Sequence, residues 1–173
     1  ALERGGDQAV VRGDKTAKTN DAEGCSYYGG KSDSVAKSSK VRSRVKTEAI
    51  CEQIRAAENI LIMGHKKGDA DSFGATVGMY RIARYFTDKV NIVLDEEMKT
   101  VAMLLEQYRQ SSSFEEGMFI KNAEAVRRVD KGTLVVVVDV NAESRTECPD
   151  ILPEAGNIVV IDHHREKNPI NAK

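Results

Sequence analysis

The sequence predicts an α/β fold, doubly wound around a mainly parallel sheet. Three observations carry this. Ile60–Met63, Leu134–Val138 and Ile158–Ile161 are short, uninterrupted apolar runs, the pattern of strands buried on both faces. Helical patterns stand between them, and regular alternation of strand and helix argues for crossover connections. Each run also leads into chemistry: Gly64-His65 with Asp69 and Asp71, Asp139, and Asp162-His163-His164. Ligands of open parallel sheets bind outside the carboxyl ends of the strands, so these residues are aimed at one place.

The elements follow in order. Residues 1–30 are small and irregular, with short strands expected at Gln8–Val11 and Gly24–Tyr28 and a polar loop between them. This piece is too short to bury a core alone. Residues 31–57 change character: Lys31, Lys37, Lys40, Arg42, Arg44 and Lys46 form a basic stretch, while Val41, Val45, Ile50 and Ile54 recur at near-helical spacing. A linker helix from about Ser34 to Ala57 is expected, its charge read as a solvated face. From residue 58 onward the alternation begins. A helix from about Asp71 to Phe86 follows the first strand, with Gly74, Ala75 and Gly78 expected to let it pack closely on the sheet. Val90–Leu94 reads as a strand, Met98–Tyr108 as a helix, Phe114–Ile120 as an ambiguous short strand, and Ala123–Val129 as a helix.

Composition narrows the function. The chain has 173 residues, is 31% charged and has a formal net charge of -1, so no global field draws it to nucleic acid or to a membrane surface. No run approaches the roughly 18–20 apolar residues of a membrane span. Cys25, Cys51 and Cys148 are odd in number and widely spaced, against a disulfide framework or a paired-cysteine zinc site. A reducing cytoplasmic setting is the simplest reading. Trp is absent and aromatics are 5% of the chain, so no base-stacking platform is legible. Neither a serine-hydrolase elbow nor a phosphate-binding glycine loop follows the first strand.

The chemistry therefore lies in the histidines and aspartates. In His65-Lys66-Lys67-Gly68-Asp69-Ala70-Asp71, two carboxylates lie two residues apart in a turn and His65 adds a nitrogen. Imidazole mixed with carboxylate suits Mn²⁺, Fe²⁺ or Zn²⁺ better than Ca²⁺ or Mg²⁺. Taken singly, Asp71 would serve equally as a helix cap, His65 as a surface histidine, and Asp139 as a turn residue or a partner of Arg145. In Asp162-His163-His164, one imidazole can bind metal, the other can contact substrate, and the Asp can orient a ring. Together the set suits two ions: His65 and Asp69 on one, Asp71 and His163 on the other, Asp139 between them. Metal pairs of this kind typify phosphoryl hydrolysis. Lys66, Lys67 and Arg165 are nearby candidates for phosphate charge.

These residues also carry a resemblance. Residues 64–75, from Gly64-His65 through Asp69-Ala70-Asp71 to Gly74-Ala75, resemble the first motif of the DHH phosphoesterases. Val137-Val138-Asp139 resembles the second motif, and Ile161-Asp162-His163-His164-Arg165 the third. The N-terminal part, Leu2 to Val11 with Tyr28-Gly29-Gly30-Lys31-Ser32, is similar to the end of the degenerate GGDEF domain of the GdpP-type subfamily, which hydrolyses cyclic di-AMP. The resemblance implies three parts: a GGDEF-like remnant over 1–30, a linker helix over 31–57, and an incomplete DHH domain over 58–173. Gly5-Gly6-Asp7 would then not be a cyclase signature loop.

It further implies hydrolysis of cyclic di-AMP to linear pApA with two Mn²⁺ ions. His65, Asp69, Asp71, Asp139 and His163 are the implied metal ligands, Asp162 supports them, and His164 contacts substrate or leaving group. The implied partners are a cyclic dinucleotide and a second copy of the full-length protein. Stable DNA or RNA binding and membrane contact by residues 1–173 are not expected. The parent protein would be anchored in a bacterial membrane with this part on the cytoplasmic side. An exonuclease of the nanoRNase or RecJ type, acting on short oligonucleotides, and a non-catalytic nucleotide sensor are the alternatives. Gly68 stands where the family usually has Pro, and Asn141-Ala142 where it commonly has His-Arg. A fourth-motif Asp and a substrate-gripping domain are expected beyond Lys173, so residues 1–173 alone should bind metal weakly and turn over little.

Overall fold

The computed structural model describes residues 8–12, 25–29, 39–95, 99–164 and 170. Two N-terminal strands, β1 (Gln8–Arg12) and β2 (Cys25–Gly29), precede helix α1 (Ser39–Ala56). Then come β3 (Asn59–Met63), α2 (Ala70–Arg84), β4 (Val90–Val93), α3 (Lys99–Arg109), the two-residue β5 (Phe119–Ile120), α4 (Asn122–Arg128), β6 (Thr133–Val138) and β7 (Asn157–Asp162). Two short 3-10 turns, Glu143–Arg145 and Pro149–Ile151, lie between β6 and β7.

The sheet order is β2-β1-β7-β6-β3-β4-β5. The five strands from β7 to β5 run parallel, as the apolar runs predict. From β3 the chain winds outward through β4 to β5, then returns to place β6 on the other side of β3. The β3/β6 boundary is therefore the topological switch point, where a crevice opens above the strand ends. β1 adds antiparallel to β7, pairing Val10 with Val160, and β2 adds to β1. An open edge of β7 would present unpaired backbone groups, and β1 satisfies them.

The core lies on both faces of the sheet. Ile60 and Ile62 face one layer, with Ile54 of α1 and Met79, Tyr80 and Ala83 of α2. Leu61 and Met63 face the other, with Ala125 of α4 and Cys148, Ile151 and Leu152. Every residue of β6 is buried, which is why its sequence reads as a continuous Val run rather than an alternation. Each fully buried Ile or Leu contributes about 1.5–3 kcal/mol. Among the described residues, no helix is long and apolar enough to cross a membrane.

Two expectations need correction. The helix after β3 begins at Ala70, close to the expected Asp71, but its N-cap is Asp69 rather than Asp71. Its sheet-facing residues are Ser72, Thr76, Met79, Tyr80 and Ala83. Gly74 and Gly78 lie on the exposed face, with open space where a Cβ would stand, so they do not mediate close packing. Small residues suggested a contact, but the helical phase set by the larger apolar side chains decides which face is buried. Met98, Arg165, the Gly5-Gly6-Asp7 triplet, the loop over 13–23 and the start of the linker helix lie outside the described residues.

Candidate metal centre

β3 delivers the first group. After Met63 the chain turns through Gly64, where an added Cβ would stand 2.1 Å from Ser72 Oγ. His65 follows, with Nδ1 2.9 Å from the Lys66 carbonyl oxygen. A carbonyl only accepts, so Nδ1 carries a proton, and in the neutral tautomer of the ring Nε2 is the nitrogen with a free lone pair. That Nε2 lies 3.7 Å from Asp139 Oδ2 and 4.0 Å from Asp69 Oδ1. Asp69 Oδ1 accepts the N–H groups of Asp71 and Ser72, each at 3.0 Å. The Ser72 amide above all holds its carboxyl below the usual range. The helix N-terminus thus keeps Asp69 ionised.

β6 delivers Asp139. Its φ is +59°, a left-handed conformation that Asp tolerates better than most residues. Its N–H donates to the Ile161 carbonyl oxygen at 2.9 Å, fixing the turn against the end of β7. Asp139 is 7% exposed, and burial raises its carboxyl pKa. Its carboxylate faces three imidazoles: His65 at 3.7 Å, His163 Nδ1 at 3.7 Å and His164 Nδ1 at 3.6 Å. These distances exceed a hydrogen bond.

β7 delivers the rest. Asp162 Oδ1 lies 2.8 Å from His164 Nδ1, and this bond is the main reason the His164 pKa is raised. Among the described residues, Asp162 Oδ2 is buried without a hydrogen-bond partner, a costly arrangement unless something else satisfies it. The His163 and His164 rings lie 4.2 Å apart between centroids. Asn141 donates from Nδ2 to the His164 carbonyl oxygen at 3.1 Å, so the Asn at the departure from the family pattern braces the third motif.

Two groups of donors result. His65, Asp69 and Asp139 form one, and Asp139, Asp162, His163 and His164 form the other; within each group, ligand atoms lie within 4.8 Å of one another. Asp139 belongs to both. Asp71 is exposed at the start of α2 and joins neither group. The donor chemistry fits a divalent ion: nitrogen and oxygen ligands suit Mn²⁺, Fe²⁺ or Zn²⁺, and the unpartnered Asp162 Oδ2 and crowded Asp139 carboxylate are the groups a cation would relieve. A segment that sequence reasoning missed also reaches this rim. Lys66 N–H donates to the Arg145 carbonyl at 2.8 Å, and Glu147 N–H donates to the Gly64 carbonyl at 2.9 Å. Its only signal in the sequence is an acidic residue beside the apolar Cys148-Pro149 turn.

Fold and site together define a doubly wound α/β protein with a candidate divalent-metal centre at its switch point. The chain belongs to the DHH family: the model of the DHH family N-terminal domain matches residues 59–173. It is 36% identical over 169 residues to the cyclic-di-AMP phosphodiesterase GdpP of Geobacillus thermodenitrificans, covering 95% of this chain and 24% of that protein. GdpP of Bacillus subtilis is 34% identical over 169 residues, with the same coverage. A membrane protein–ribosomal subunit bL9 fusion protein of Aster yellows witches'-broom phytoplasma is 30% identical over 174 residues, covering 98% of this chain and 20% of that protein. The chain thus spans no more than about a quarter of these relatives.

Proposed function

We propose that this chain is the metal-holding part of a phosphodiesterase that hydrolyses cyclic di-AMP to linear pApA, with two Mn²⁺ ions as cofactor. The observation that carries this is Asp139, whose buried carboxylate is common to both donor groups. The names of the GdpP relatives support the substrate class. His65, Asp69, Asp71, Asp139 and His163 are the proposed ligands, with Asp71 requiring a move toward the site. Divalent ions bound there would lower the pKa of an attacking water and offset phosphate charge.

The chain's own residues do the remaining work. Asp162 holds His164 through Nδ1, leaving Nε2 to face substrate. The raised pKa keeps that ring ready to donate a proton. In the balanced reaction, the water oxygen bonds to phosphorus, the bond from phosphorus to O3′ breaks, and O3′ takes up a proton. One phosphodiester opens, and the product keeps a 5′-phosphate and a free 3′-hydroxyl. Lys66 and Lys67, both exposed on the loop after β3, are proposed to attract the second phosphate.

The same reading places these residues in a longer, membrane-anchored protein with this part on the cytoplasmic side, acting as a homodimer. The longer relatives support it, as does the phytoplasma relative named a membrane protein. Residues 1–30 would be a GGDEF-like remnant and 31–57 a linker, the β1–β7 pairing being where the units meet. The test is chromatography of cyclic di-AMP incubated with Mn²⁺ and the longer protein. Formation of pApA, abolished by Asp139→Ala, is expected. Cleavage of pApA with cyclic di-AMP left intact would instead mark an exonuclease, and binding without turnover a sensor. Residues 1–173 alone should turn over little.

A further inference from the structure

We infer that Glu147 is a positioning residue that clasps the His65 loop in its metal-binding geometry, an inference that rests on the proposed metal-centre reading. Beneath that loop lies a small cavity of about 20 Å³, lined by Gly64, His65, Ser72, Thr76, Leu94 and Glu147 among others. Glu147 is 3% exposed. A carboxylate so placed is costly unless it is hydrogen-bonded; Glu147 is bonded once through its carboxylate and twice through its backbone. Its N–H donates to the Gly64 carbonyl at 2.9 Å. Its Oε1 accepts the Asp95 N–H at 3.0 Å. Its carbonyl accepts Asn122 Nδ2 at 3.1 Å.

These bonds fasten the chain just beyond β3, the chain just beyond β4 and the first residue of α4 to one point. The neighbouring residues extend the grip. His65 and Thr146 form an isolated antiparallel bridge, Thr146 is fully buried, and Lys66 N–H donates to the Arg145 carbonyl. The Lys66 carbonyl is the acceptor that fixes the His65 ring through Nδ1. Displacing the peptides on either side of His65 therefore rotates Nε2 away from Asp139. Glu147 belongs to neither donor group and acts on the metal only through His65, in the manner of a ligand's outer partner.

The experiment compares three variants of the chain by Mn²⁺ titration, thermal melting and amide hydrogen exchange. Asp130→Ala is the control, because Asp130 bonds Gly132 N–H and Thr133 Oγ1 at the opposite end of the sheet. Glu147→Ala keeps the two backbone bonds but removes the carboxylate's anchor on the Asp95 N–H; the loosened segment should weaken Mn²⁺ binding about 10–100-fold and speed exchange of the Lys66 amide. Asp130→Ala should lower the melting temperature and leave Mn²⁺ affinity unchanged. Glu147→Gln keeps an acceptor for Asp95 and should restore both readouts. Wild-type affinity and wild-type Lys66 exchange in Glu147→Ala would overturn the inference. If neither the unsubstituted chain nor the longer protein takes up Mn²⁺, the metal-centre reading fails, and exchange at Lys66, measured without metal, still decides whether Glu147 holds the loop.

Discussion

The two ends of the parallel sheet are built from similar residues and treat them differently. At the end where β6 and β7 begin, Asp130 accepts from Gly132 N–H and Thr133 Oγ1, and Lys131 Nζ donates to the Pro153 and Glu154 carbonyls. Asn59 Oδ1 is the exception there, buried without a partner. At the opposite rim, Asp139 is buried with a raised pKa, Asp162 Oδ2 has no partner among the described residues, and three imidazoles crowd one carboxylate. The two positive-φ non-glycine residues among those described, Lys67 and Asp139, both lie at this rim. The first end pairs its Asp130 and Lys131 side chains with nearby backbone and hydroxyl groups; the other crowds carboxylates and imidazoles together. Positive-φ backbone and crowded ionisable groups at one rim are what the proposed function rests on.

The sharpest way to separate the ends uses their glycines. A Cβ on Gly156 would stand 1.9 Å from the Lys131 carbonyl oxygen, a backbone atom that cannot step aside. Gly156→Ala should cost about 3 kcal/mol in urea unfolding and leave Mn²⁺ affinity intact. For Gly64→Ala the clash is with the Ser72 hydroxyl, at 2.1 Å, a side-chain atom that can rotate away, and the other contacts are of ordinary van der Waals length. The substitution should cost about 1 kcal/mol, the scale of an off-rotamer side chain, yet weaken Mn²⁺ binding. Equal effects of the two on metal binding would erase the contrast between the rims.

Asp139→Asn tests the crowded rim directly. Burial disfavours the charged carboxylate, so ionisation of Asp139 opposes folding. That penalty is present above the raised folded pKa and vanishes as pH falls below the unfolded value. Asn, which tolerates the left-handed turn, should therefore raise the melting temperature of the metal-free chain at neutral pH, with the gain shrinking toward acid. Mn²⁺ affinity should fall by more than about 100-fold, beyond the loss typical of an outer partner. A destabilised variant would show that Asp139 is satisfied without metal.

Lys67 has φ +57°. Asn is several-fold enriched in that conformation, so Lys67→Asn should stabilise the chain by about 0.5 kcal/mol in chemical denaturation. No gain would mean that the loop carries no backbone strain there. The smallest effect is expected away from both rims. Glu115 accepts from Arg84, Arg81 and Tyr80, and the Arg84 bond holds its carboxyl below the ordinary value of 4.5. Its contribution is full above pH 4.5 and is lost as pH falls through the lowered folded pKa. The melting temperatures of Glu115→Gln and the unsubstituted chain should differ above that pH and converge in acid. A constant offset would assign the difference to something other than this ionisation.

Much of the fold was legible because its signals are local. The Val run over 134–138 announces a strand buried on both faces, and a His or Asp after such a strand sits where its carboxyl end opens. Residue identity and spacing therefore named His65, Asp69, Asp71, Asp139, Asp162, His163 and His164 as one constellation, of which the structure gathers all but Asp71. Phase was harder: the small residues of α2 suggested a packing face, yet Gly74 and Gly78 point to open space. Of the two carboxylates of the first loop, Asp71 was the one that could read as a helix cap, but the structure gives Asp69 the cap and leaves Asp71 outside both donor groups.

By itself, the sequence determined the alternation of strands and helices, the apolar interior and the donor chemistry of the site, since each follows from side-chain type and short-range spacing. Only the tertiary structure decided that β6 returns beside β3, that Asp139 turns left-handed to join two donor groups, and that Glu147 reaches back to Gly64. Those features depend on backbone pairing between segments as much as 83 residues apart, 64 to 147. No local pattern encodes a hydrogen bond whose partner is chosen by the folding of the whole sheet.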